Sequence, residues 1–181
     1  KKGDRVYEDN VISLGEKDIL IIEGIHALNP LLTDRIPEES KFKIYVSALT
    51  SLSLDENNNI STSDNRMMRR MVRDNQFRGI KPENTINMWP SVRRGEVKNI
   101  FPFQENADIV FNSSLLYELP LLKYYAEPLL RRIPITSEAY PDAIRILKFL
   151  SLVEAMSPQE IAAIPPTSII KEFIGGSSFT Y

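Results

Sequence analysis

The chain has 181 residues, a net charge of −2 and no cysteine. That length allows one domain with a substantial core, and the charge balance gives no support for general affinity for DNA. The lack of thiols excludes a disulfide framework and a thiolate metal site, and fits a reducing compartment.

The opening residues, Lys1-Lys2-Gly3-Asp4-Arg5, carry no apolar core of a signal peptide and no initiator methionine, so the chain reads as a piece of something longer. No apolar run approaches the roughly 20 residues that cross a bilayer, and no membrane partner is expected. Asp18 precedes Ile19-Leu20-Ile21-Ile22, an apolar run that predicts a buried strand ending at Glu23-Gly24. Phe42 to Val46 and Asp108 to Phe111 predict two more strands. Helix-type patterns lie between them, so an α/β layer with parallel strands is expected.

Ser51 to Ser63 is polar and predicts a mobile loop. Ser63 or Asp64 can cap the helix that follows, Gly79 ends it, and Pro82 opens a second helix carrying Trp89. Leu119 to Arg132 is strongly apolar, with Pro120 tolerable at a helix start and Pro128 predicting a kink or stop. From Ser137 the pattern is helical again, with Ala143, Ile144, Ile146, Leu147, Phe149 and Leu150 as a core face. Pro165-Pro166 breaks it before a last segment, Ser168 to Ile174, and a loose Gly175-Gly176-Ser177-Ser178 tail. There is no internal repeat.

The first helix carries the most chemistry. Arg66, Arg69, Arg70 and Arg73 recur at i, i+3, i+4 and i+7, opposite Met67, Met68, Met71 and Val72. A guanidinium front over an apolar back repels itself unless an anion sits there, and guanidinium forks suit phosphate oxygens. A solvated basic face is the bland alternative. Arg78 precedes Gly79, whose backbone freedom lets Arg78 swing over the same anion. Glu23, at the carboxyl end of an expected central strand, can hold a magnesium ion directly or through water; a solvated or capping carboxylate is the alternative. His26 is the single histidine, which leaves a histidine-based zinc site without partners. Trp89-Pro90-Ser91-Val92-Arg93-Arg94 sets an aromatic beside two arginines. It offers base stacking, with core packing of Trp89 as the plain alternative. No Gly-x-x-x-x-Gly-Lys-Ser/Thr phosphate loop occurs.

Together these motifs resemble the uridine kinase and phosphoribulokinase family of P-loop kinases. Ile21-Ile22-Glu23-Gly24-Ile25-His26 looks like that family's strand ending in Glu-Gly-Ile or Glu-Gly-Leu-His. Lys43-Ile44-Tyr45-Val46 resembles the strand before the lid, and Ala107-Asp108-Ile109-Val110 the late strand beside the adenine site. Arg66 to Gly79 is similar to the pattern Arg-Leu-x-Arg-Arg-x-x-Arg-Asp-x-x-x-Arg-Gly. The Ile25–Pro30, Trp89–Glu96, Asn99–Gln104 and Glu172–Gly176 stretches resemble bacterial uridine-kinase-like proteins. In those proteins the kinase region follows a threonyl-tRNA-synthetase-like region. Ile80, with Lys81 next, stands where the family has a further arginine, and the glutamine of nucleoside kinases has no match near Asn87-Met88.

The resemblance implies an incomplete P-loop kinase-type α/β fold, with parallel strands flanked by helices and a helical C-terminal extension. Residues 1–136 would be the C-terminal part of the kinase domain, with a lid helix at about 64–79, and residues 137–181 the extension. The P-loop strand and the aspartate base would lie upstream. It implies a cytoplasmic kinase that uses ATP and Mg, with a nucleotide and a small hydroxyl acceptor as partners. Glu23, Arg73 and Arg78 would be catalytic, Glu23 holding the magnesium; His26, Arg66, Arg69, Arg70 and Arg94 would bind substrate or nucleotide. A non-catalytic nucleotide-sensing or RNA-associated regulatory module is the alternative. Exposed strand edges would invite homo-oligomers.

Overall fold

The structure is a computed structural model, and it describes residues 12–50 and 60–180. The expected features at Lys1–Arg5 and in most of the Ser51–Ser63 loop lie outside the described residues. The chain is mixed α/β. Strands β1 (Ile44–Ser47) and β2 (Ile109–Asn112) pair in parallel, Ile44 opposite Ile109 through Ser47 opposite Asn112. Six helices follow the chain among the described residues: α1 (Thr62–Arg78), α2 (Pro82–Asn99), α3 (Glu118–Arg131), α4 (Tyr140–Leu150), α5 (Pro158–Ala162) and α6 (Lys171–Ile174). No helix among the described residues is long and apolar enough to cross a membrane.

The parallel pairing is as the patterns predict, with each strand shifted by one or two residues. The first expected strand is different. Ile19 to Ile22 forms no strand, and Ile19 is 88% exposed. A strand is held by a neighbour's ladder of hydrogen bonds, and β1 and β2 bond to each other and not to this run. Glu23 therefore follows an irregular, exposed segment and not a central strand. Val46, Val110 and Phe111 on the sheet are exposed as well.

The core lies in the helices. Met67, Met68, Met71 and Val72 on α1 are buried with Ile86 and Trp89 of α2, Leu121 and Leu122 of α3 and Ile146 of α4. Helix α1 packs on α2, α3 and α6. It is capped by Ser61, not by Ser63 or Asp64: the Ser61 hydroxyl accepts from the Asp64 backbone N–H at 3.0 Å. The Asp64 carboxylate instead accepts two bonds from Arg145, each 2.8 Å. Gly79 closes α1 with φ 63° and donates to the Asp74 carbonyl, as the glycine predicts. Pro128 neither stops nor ends α3, which runs on to Arg131. So few residues follow it that the bond lost at its missing N–H is one of the last in the helix. On α4, Ala143, Ile146 and Leu150 are buried and Ile144, Leu147 and Phe149 partly so, matching the expected face.

Candidate functional site

Helix α1 does gather its arginines, but the chain itself supplies anions for them. The Arg66 guanidinium donates to one oxygen of Glu96 on α2, and Arg93 donates to the other at 2.9 Å. Arg69 forks both Nε and Nη2 onto Glu118 at the start of α3, and its Nη2 also donates to the Ser113 carbonyl at 3.0 Å. Asn65 Nδ2 and the Leu115 backbone N–H donate to the same carboxylate, at 3.1 and 3.2 Å. Arg69 and Glu118 are both buried, so this pair is sealed and its acceptor oxygens are filled. The expected unpaired guanidinium front is thus corrected: three buried carboxylates, Glu96, Glu118 and Asp74, lie along it.

Asp74 gathers the remaining arginines. Its side chain is wholly buried; Arg70 Nε donates to Oδ2 at 3.1 Å and Arg78 Nη1 to Oδ1 at 2.9 Å. Arg73 Nε lies 3.7 Å from Oδ1, too far for a hydrogen bond. That Nε is buried with no hydrogen-bond partner among the described residues. Three guanidiniums meet one carboxylate at Asp74, and with Glu172 beside Arg73 a local surplus of one positive charge remains. Arg78 is the most open of the three, its side chain 52% exposed. A cluster of this kind can hold an anion with several oxygens, such as a phosphate chain, because fixed donors surround a charge that the protein has not fully neutralised.

The C-terminal helix adds two groups. Arg73 Nη1 donates to Glu172 on α6 at 3.3 Å. The Phe173 ring lies 5.2 Å from the Arg69 guanidinium carbon and 5.7 Å from that of Arg73. Glu96, Glu118, Glu172 and Phe173 went unseen in the sequence as partners of these arginines. So did Asp74, though it stands i+4 from Arg70 and i−4 from Arg78, a spacing that could have identified it.

The other expected site residues lie elsewhere. Glu23 and His26 are exposed in a segment whose hydrogen bonds are local: Ala27 N–H to the Gly24 carbonyl and Asn29 N–H to the His26 carbonyl. Among the described residues no hydrogen bond or ion pair joins them to α1. Arg94 is exposed on α2. Trp89 is core: its ring is buried in the apolar cluster and its Nε1 donates to Ser63 Oγ at 2.9 Å. No group of three or more His, Cys, Asp or Glu among the described residues is placed to hold a metal. A cavity of about 440 Å³ lies at the other end of α1, lined by Ile60, Asp64, Met68, Arg145, Ile146 and Phe149 among others, away from the Asp74 cluster.

Comparison with curated proteins gives no match, and comparison with solved structures gives none either. The family model for the phosphoribulokinase / uridine kinase family matches residues 2–116. That span holds β1, α1, α2 and β2, and with them the arginines of α1 and α2 described above. Sharing that pattern across well over half its length, and with the basic helix folded as a unit inside the match, the chain belongs to the phosphoribulokinase / uridine kinase family.

Proposed function

We propose that this chain is part of an ATP-dependent kinase that transfers a γ-phosphoryl group to a hydroxyl of a nucleoside-type acceptor, in the manner of uridine kinase. The observation that carries the reading is the convergence of Arg70, Arg73 and Arg78 on Asp74, within the family match. The donor set suits a polyphosphate, since the Arg73 Nε has no hydrogen-bond partner among the described residues and the charge around Asp74 is left positive.

Bound ATP with Mg would supply the phosphoryl group. Arg73 and Arg78 would neutralise charge on that group, and Arg70 would contact the acceptor. Such arginines act by positioning and electrostatics, not by covalent chemistry. Arg78, at the end of α1 beside Gly79, has the reach to close over the anion. Glu23 would hold Mg through water, as suits an ion that keeps most of its water and its phosphate ligands. His26 and Arg94, both exposed, are the residues left for the substrate side in this reading, while Arg66 and Arg69 are held by Glu96 and Glu118. Residues 1–136 form the kinase part, 137–181 a helical extension, and the bare faces of β1 and β2 belong to a larger layered sheet. A cytoplasmic location goes with this reading.

One observation favours a second reading, a non-catalytic nucleotide-sensing or RNA-associated module. Arg66 and Arg69 are tied to buried carboxylates in the way of structural pairs.

The test is label transfer from γ-labelled ATP with Mg to a panel of nucleosides, in the protein that carries this chain. A labelled nucleoside monophosphate supports the kinase. ATP binding without product for any acceptor supports the sensor, and absence of binding overturns both.

A further inference from the structure

We infer that Glu172 is an internal stand-in for the phosphate that Arg73 receives, so that the α6 segment restrains the arginine site until a polyanion displaces it. The inference rests on the anion site proposed above and concerns residues beyond the family match, which ends at 116. Among the Asp74 arginines, Arg73 is the one left short of partners. Asp74 accepts hydrogen bonds from Arg70 and Arg78, while the Arg73 Nε has no partner among the described residues. The hydrogen bond that Arg73 does make runs 3.3 Å to Glu172. A carboxylate there supplies what a phosphate oxygen would, an acceptor and a negative charge facing a guanidinium.

The contact is built to yield. The α6 backbone is fixed by buried Ile170 and Ile174 and by Gln76 Nε2 donating to the Ile174 carbonyl at 2.9 Å. The Glu172 side chain itself is 35% exposed. It can swing off Arg73 into water while α6 stays docked and the Phe173 ring stays against the guanidinium. An ion pair this long and this open is weak, whereas a di- or triphosphate brings several oxygens and more charge to Arg70, Arg73 and Arg78 together.

The test is calorimetric titration of inorganic pyrophosphate into the wild-type chain, Glu172→Gln and Glu172→Asp, with circular dichroism as the fold control. The expected result is about two- to five-fold tighter binding by Glu172→Gln, the size of a lost weak competitor, and near wild-type affinity for Glu172→Asp. In an Arg73→Gln background the gain from Glu172→Gln should vanish. Equal or weaker binding by Glu172→Gln overturns the inference and leaves the anion site standing. No binding by any of the folded chains overturns both.

Discussion

Arg78 and Asp74 stand one helical turn apart, joined by a 2.9 Å hydrogen bond between a half-exposed guanidinium and a wholly buried carboxylate. The carboxylate holds the reach of the arginine near the mouth of the cluster and screens Arg70 and Arg73 from each other. Asp74→Ala therefore leaves three guanidiniums in mutual repulsion. We expect a loss of about 2–3 kcal/mol of folding stability, below the full range for a broken buried pair because the arginines keep some water. Asp74→Asn, which keeps an acceptor, should lose less. Urea midpoints measure both, and an unchanged midpoint for Asp74→Ala would remove Asp74 from its central place.

The Arg69–Glu118 pair differs because both partners are buried. Glu118→Ala strands a guanidinium, the Asn65 amide and the Leu115 N–H without their acceptor, and should cost about 3–5 kcal/mol. Arg69→Met with Glu118→Gln should cost much less than the sum of the single changes, because the stranded charge is then gone. Additive losses would mean that the two side chains do not act as a unit.

Gly79 tests the end of α1. A Cβ there would meet open space, yet the backbone sits at φ 63°. Gly79→Ala should thus cost about 1 kcal/mol from conformation alone. A loss of several kcal/mol would point to a packing role that the geometry does not contain.

Acid should loosen the join between α1 and α4. Burial pushes the Asp64 carboxyl up, but hydrogen bonds from Arg145 and Ser61 outweigh it and hold its pKa below the ordinary 3.8. A lowered carboxylate pKa stabilises the fold above the unfolded value and loses that effect as pH falls through the folded one. Asp64→Asn should cost about 0.5–1 kcal/mol at pH 7, with the gap to wild type closing as pH drops below about 3.8. A gap that is constant from pH 7 to pH 3 would rule this out.

Local signals were readable before any coordinates. The α1 arginines, their apolar back, the Gly79 stop and the Pro82 restart all lie within a few residues of one another, where spacing alone decides. The α4 face was legible for the same reason. Most of what failed depended on distant partners, though Asp74, one turn from Arg70 and Arg78, was within reach of spacing. The Ile19–Ile22 run has the composition of a strand, but a strand exists only with a neighbour to bond to, and nothing nearby in the chain reveals that. The helix front was expected to lack internal anions because Glu96, Glu118 and Glu172 lie 22 or more residues beyond Asp74. Pro128 does not stop α3, because the rule for helix interiors weakens close to a helix end.

The most direct test of the kinase reading is the initial rate of γ-label transfer from ATP with Mg to the best nucleoside acceptor, for wild type and for Arg78→Gln. The account predicts a fall of about 100-fold or more with the fold intact, as for removal of a group that neutralises transition-state charge. A variant that transfers label at the wild-type rate would contradict it.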